Sequence, residues 1–273
     1  MNIKTFKNSF LKNKNIVLEL TKRKIKSQYR NSFLGIIWSV LNPLLNTLIM
    51  YIVFKDLFKY DDQFFILYLL CGNILFQALR TATTSALTSI VSNRNLLLKI
   101  KIKEEVFPLS NTLSSIVNFA FSFIALLVVM LILQLKYSTN IFGYQLIFIL
   151  LLIPAFLLFA YGIGLALSAL FVFFRDIQHI YNVFLTLWMY LTPIFYNVNK
   201  FNSTSFALKI VKLNPMYYFV TYFRDCTYLL QTTGSQGPPS FLALLGLYTT
   251  GVISLIVGLA VFKLLKKHFM YYI

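Results

Sequence analysis

A chain of 273 residues with 12% charged residues, 58% hydrophobic residues and a mean hydropathy of +0.73 cannot cover a soluble domain of its size with charge. Its apolar runs are continuous rather than alternating, which excludes a β-barrel and leaves an all-α polytopic membrane protein. The net charge of +17 lies mostly in segments beside those runs, a placement that sets topology and contacts anionic lipid rather than nucleic acid.

Residues 1–32 are polar and basic and lack the apolar h-region of a cleavable signal. Residues 1 to about 10 read as a basic tail. From 15 to 30, Ile16, Val17, Leu20 and Ile25 share one helical face and lysines the other, the pattern of a helix lying in the membrane interface. The first span is expected over 33–54, long enough for a hydrocarbon core of roughly 30 Å at 1.5 Å per residue, with Pro43 inside it. Lys and Arg beside a span stay in the cytoplasm, so the amino terminus is expected inside. Asp56, Asp61 and Asp62 then mark an outer loop.

The second span is expected over 64–88, apolar in its first half and polar from Arg80 onward. Arg80 is costly in lipid and is expected to face protein or water, paired across a helix interface or touching a ligand, or else to sit near the cytoplasmic end. Residues 92–106 carry Arg94, Lys99, Lys101 and Lys103, hence a cytoplasmic position, and also Leu96, Leu97, Leu98, Ile100 and Ile102. Such a segment either docks a second protein or lies against lipid.

Spans at 109–133 and 145–174 follow, the latter with Gly162, Ala166 and Ala169 placed for close helix contact. After the short inner turn Arg175-Asp176, a span over 177–196 is strongly aromatic: Tyr181, Phe184, Trp188 and Phe195 recur at helical spacing, with Tyr190 and Tyr196 nearby. These rings either pack the core and meet lipid, or line a path on which a sugar ring can stack. Residues 204–230 hold two apolar pieces split by Asn214-Pro215, each too short to span, the pattern of re-entrant or interfacial helices. A last span over 241–262 ends in Lys263, Lys266 and Lys267, so the carboxyl terminus is also expected inside.

The two cysteines, Cys71 and Cys226, have no ligand-like spacing and read as isolated small hydrophobes or a single pair. A membrane enzyme would need clustered carboxylates, histidines or metal ligands. The chain has eight acidic residues and two histidines, and its nearest candidate pair, Asp176 and His179, reads as a helix start beside a bystander, so no catalytic or metal site is expected. A secondary transporter would show internal repeats and several buried charges, and neither is visible here.

Several stretches taken together resemble the type-2 permeases of ABC transporters that export polysaccharides, O-antigens and teichoic acids. They are KSQYRNSFLGIIWSVLNPLL at 26–45, NRNLLLKIKIKEEVFPLS at 93–110, FFRDIQHI at 173–180, LTPIFY at 191–196 and NPMYYFVTYFRD at 214–225. One departure is that Glu104-Glu105 stand just before Phe107-Pro108, where the family has an aromatic and a proline close after the coupling helix. The resemblance implies a single permease domain in a bacterial cytoplasmic membrane that pairs as a homodimer, binds two copies of a separate ATPase and moves a lipid-linked glycan. It implies no cofactor on this chain, with ATP and magnesium on the partner; the chain itself has no G-x-x-x-x-G-K-[ST].

The resemblance also assigns roles by position. Asn93, Arg94, Asn95, Leu96, Leu97, Leu98, Lys99 and Ile100 would couple to the ATPase. Arg23, Lys26, Tyr29 and Arg30 would form the interfacial entry gate. Tyr181, Phe184, Trp188, Tyr190, Phe195 and Tyr196 would line the substrate path, and Tyr217, Tyr218, Tyr222 and Arg224 the exit gate.

Overall fold

Long apolar runs with few breakers satisfy every backbone group internally by coiling, and the chain does this along most of its length. The computed structural model describes residues 3–30, 35–58, 63–99, 102–198, 206–229 and 238–269. The helices are α1 (Ile3–Tyr29), α2 (Gly35–Phe58), α3 (Phe65–Leu87), α4 (Ser89–Ser92), α5 (Arg94–Lys99) and α6 (Val106–Tyr137). A 3₁₀ turn at Tyr144–Phe148 leads into α7 (Ile149–Phe173). Then come α8 (Ile177–Leu191), α9 (Phe206–Leu213), α10 (Pro215–Arg224) with a π-helical turn at Asp225–Leu229, and α11 (Phe241–Lys266).

Among the described residues, five helical segments are long and apolar enough to cross a membrane: Ile37–Lys55, Phe65–Leu87, Val106–Tyr137, Tyr144–Phe173 and Phe241–Lys266. The expected span over 177–196 differs. Its helix α8 stops at Leu191 after 15 residues, roughly 22 Å at 1.5 Å per residue, short of the hydrocarbon thickness. The stop has a local cause, because Pro193 biases Thr192 away from helical geometry and Thr192 is extended at ψ 131. At the amino end the difference is opposite, since α1 already begins at Ile3, inside the stretch expected as a tail.

α3 is the central helix, with 72% of its span buried, whereas α2 lies on the outside with 6% buried. The tightest pair is α7 with α11. A Cβ on Gly162 would collide with the Ser254 backbone, one on Gly258 with the Gly162 backbone, and one on Gly251 would come within 2.8 Å of the Ala155 carbonyl. Small residues at the crossing bring the two backbones into contact, which is how helices associate where no hydrophobic driving force acts. Ser254 Oγ and Tyr248 Oη add hydrogen bonds across the same seam, to the carbonyls of Phe159 (2.9 Å) and Leu151 (2.9 Å).

α1 lays its apolar face on α6. Val17 is buried and Ile16, Leu20 and Ile25 are half-buried, while Lys22, Arg23, Lys24 and Lys26 are exposed. Thr21 Oγ1 donates to the Ser110 carbonyl at 3.3 Å, so this face is held by protein, not by lipid alone.

Candidate functional site

The chain leaves α3 through α4 into α5, a single exposed helical turn and a half at one end of the bundle. Asn93 forms the joint. Its Nδ2 donates to the Ser89 carbonyl at 2.8 Å, and its own carbonyl accepts from Leu96 N (3.0 Å) and Leu97 N (3.1 Å). Leu97 packs against a buried cluster that contains Ile90, Leu165, Val172, Phe262 and Phe269. Arg94, Asn95 and Lys99 are exposed, Leu96 is half-buried, and Leu98 projects outward with 59% of its surface open. Ile100 lies outside the described residues.

Just past this segment, Glu104 and Glu105 meet Lys266 at the end of α11, with Nζ to oxygen distances of 2.6 and 3.4 Å. Tyr161 Oη donates to the Glu105 carbonyl at 3.2 Å. The acidic pair that departs from the family pattern therefore ties the start of α6 to both helices of the α7–α11 block.

Tyr29 ends α1 inside the bundle. Its hydroxyl donates to Asn118 Oδ1 (2.6 Å) and shares a hydrogen bond with Ser39 Oγ (3.1 Å), and its ring meets Phe121 edge-on. Gln28 Nε2 donates to the same Asn118 oxygen at 3.1 Å. Arg23, Lys26 and Arg30 are exposed around this junction. Beside it opens a cavity of about 400 Å³ between α1, α2, α3 and α6, lined with amides and hydroxyls together with Trp38 and Phe119.

From that cavity a polar line climbs α3. Asn73, Gln77, Arg80 and Thr84 recur at intervals of four, three and four, so they share one face. All four are half-buried or exposed on a helix otherwise turned inward. Asn73 Nδ2 donates to Thr47 Oγ1 of α2 at 3.4 Å. Arg80 has no acidic partner among the described residues, and its buried Nε finds no acceptor there. Among the described residues Arg80 therefore makes no ion pair across a helix interface. Lipid cannot solvate amides and a guanidinium along a span, so this face is turned to protein, water or polar cargo.

The aromatic residues of α8 divide. Tyr181 and Trp188 point into the protomer: the Tyr181 hydroxyl donates to Thr83 Oγ1 at 2.8 Å, and Trp188 Nε1 donates to Asn214 Oδ1 at 2.7 Å. Asn214 also donates to Thr192 Oγ1 (2.9 Å) and caps α10 by accepting from Met216 N (3.0 Å). In this arrangement Trp188 is a latch between α8 and the α9–α10 corner, and neither ring faces an open path. Phe184 and Tyr190 are on the outer face, 48% and 61% exposed. Phe195 stacks on Phe54 of α2 at 5.8 Å, and the Tyr196 hydroxyl donates to the carbonyls of Tyr190 and Leu191.

At the far end, Tyr217 and Tyr218 meet edge-on at 5.0 Å, with Tyr218 exposed. Tyr222 and Arg224 are buried instead. The Arg224 guanidinium sits 3.4 Å above the Tyr68 ring and donates to the Tyr68 carbonyl at 2.9 Å. Gly72 makes room for it, since a Cβ there would lie 3.0 Å from Arg224 Nη2. Arg224 is thus held by a ring and by carbonyls within its own protomer.

The residues that sequence reasoning missed are Asn42, Gln77, Asn118 and Ser122. The available signal was amides and hydroxyls at helical intervals in mid-span, Asn118 and Ser122 on α6 matching Gln77 and Thr81 on α3.

Apolar helices that carry a polar line beside an open polar cavity are the features of a helical membrane transport protein. The family profile described as ABC-2 type transporter matches residues 16–228, and the chain belongs to that family. Over 255 residues, 93% of each chain, it is 28% identical to an "O-antigen export system permease protein RfbA" of Klebsiella pneumoniae. A protein of the same name from Myxococcus xanthus is 29% identical over 214 residues, 78% of this chain and 80% of that one.

Proposed function

We propose that this chain is the permease subunit of an ABC exporter that moves a lipid-linked polysaccharide of the O-antigen class across the bacterial cytoplasmic membrane. The observation that carries the reading is the polar line on α3, a face that lipid cannot solvate and that fits a surface along which polar cargo passes once two copies come together. The names of the relatives favour the O-antigen class over teichoic acid or capsular glycan. Two copies enclose the path. The exposed α2 and the open face of α3 are the surfaces that a second copy would cover. Both termini and α5 lie on the cytoplasmic side, α8 and the turn after it make the remaining crossing, and α9–α10 re-enter from the outside.

ATP hydrolysis falls to a separate subunit docked on α5, two copies per dimer. Its closure moves α5 and the helices tied to it as a rigid body. Leu98→Asp is expected to abolish copurification of the ATPase while leaving the thermal midpoint of the permease nearly unchanged, since Leu98 keeps 59% of its surface open. Leu97→Asp is expected to lower that midpoint instead, because it places a carboxylate against the cluster of Ile90 and Phe262.

Depletion of the chain in cells tests the function. Lipid-linked glycan is expected to accumulate on the cytoplasmic side and to clear only when permease and ATPase are both restored. Normal surface glycan after depletion would refute the export reading.

A further inference from the structure

We propose that the cavity between α1, α2, α3 and α6 is a saccharide pocket, one that takes the uncharged, hydroxyl-rich rings of the cargo. The proposal rests on the export reading and adds to it the place and the chemistry of recognition.

The volume of about 400 Å³ falls among ordinary ligand sites, roughly 300–1,000 Å³. What lines it decides the occupant. Gln28, Ser39, Asn42, Gln77, Asn118 and Ser122 contribute amides and hydroxyls, Trp38 contributes a ring that is half exposed, and among the described residues no charged side chain is part of the wall. An anion would find nothing there to neutralise it, and a cation would find no carboxylate. An apolar chain would strip water from these polar groups without replacing its hydrogen bonds.

The polar groups are also on offer, not consumed by the protein. Asn118 Oδ1 already accepts from Tyr29 and Gln28, which fixes the amide and leaves its nitrogen as a donor with no partner among the described residues. Asn42 Oδ1 accepts from Asn46 (2.9 Å), leaving the Asn42 nitrogen in the same state. The Gln77 side chain has no hydrogen-bond partner among the described residues and is exposed to the space. Fixed amide donors and acceptors around an aromatic face match the edge hydroxyls and the apolar face of a sugar ring.

Trp38 is one of two tryptophans in the chain, and the other, Trp188, is buried and hydrogen bonded, so Trp38 can report on the pocket. The full chain in nanodiscs is titrated with octyl glycosides bearing neutral hexose, 6-deoxyhexose or N-acetylhexosamine heads, below their micellar concentrations. Octyl phosphate and octan-1-ol serve as controls, and Trp38→Phe as the blank. At least one glycoside is expected to give a saturable change in Trp38 emission that neither control produces. Asn118→Leu and Gln77→Leu are each expected to weaken it about tenfold or more. If Asn118→Leu loosens the Tyr29 junction, Gln77→Leu decides, since its amide bonds to none of the described residues. An equal response to octan-1-ol, a response to octyl phosphate, or none to any glycoside would overturn the pocket. None of these would touch the export reading, which stands or falls on glycan accumulation when the whole chain is removed.

Discussion

Gly258→Ala is expected to cost the folded permease roughly 2–3 kcal/mol or more, the upper range for overpacking, and Gly258→Leu to leave no folded protein to purify. The added methyl would overlap the backbone of Gly162, and backbone has no rotamer by which to yield. The helices would have to separate, and with them would go the contact of Gly251 with Ala155 and the hydrogen bonds from Ser254 and Tyr248. Gly246, on the same helix with nothing within 4 Å of its Cβ position, is the matched control. Gly246→Ala is expected to be neutral or to stabilise by up to about 1 kcal/mol through helix propensity. Thermal unfolding of the two alanine variants in detergent measures the difference. Equal midpoints would mean that α7 and α11 are not held by this seam.

Arg80→Gln is expected to separate stability from transport. In an ion pair, loss of the guanidinium would strand a buried partner and destabilise by about 3–5 kcal/mol. Among the described residues Arg80 has no such partner, and its Nε is buried without an acceptor. Removing the charge therefore relieves a cost, and the thermal midpoint is expected to hold or rise. Export is expected to fall about tenfold, because charge-assisted hydrogen bonds contribute roughly 1.5–3 kcal/mol where a guanidinium meets oxygen. Arg80→Lys keeps the charge without the planar fork and should fall between the two. A lower midpoint with unimpaired export per folded molecule would make Arg80 a structural residue.

Much of this was legible from the chain itself, for reasons that are physical. The apolar runs announce helices because the bilayer permits little else. Gly162 announced a close crossing, and the structure supplies its other side, Gly258 and Ser254, which with the Gly251–Ala155 contact pairs residues almost a hundred positions apart, where no local pattern could pair them. The amphipathic face of α1 was readable from Ile16, Val17, Leu20 and Ile25, but not that α6 would take it. The aromatic stripe of α8 was visible, yet periodicity is blind to the difference between a ring that lines and a ring that latches. Only the bonds of Tyr181 to Thr83 and of Trp188 to Asn214 make that distinction. The cavity was the least legible feature. Its walls come from four separate helices, and its amides, read one at a time, look like isolated tolerances in otherwise apolar segments.

The two contacts between Lys266 and the Glu104–Glu105 pair have a consequence for motion. Their side chains keep between 26% and 34% of their surface open, so water and salt share the field between them. Partly solvated pairs contribute on the order of 1 kcal/mol or less each. A joint that weak acts as a snap fastener: it transmits a tug from the segment beyond α5 into the glycine-seamed slab, and it lets go before the slab itself deforms. Raised ionic strength should loosen it first, so that the pulling end and the slab slip relative to each other while both remain folded.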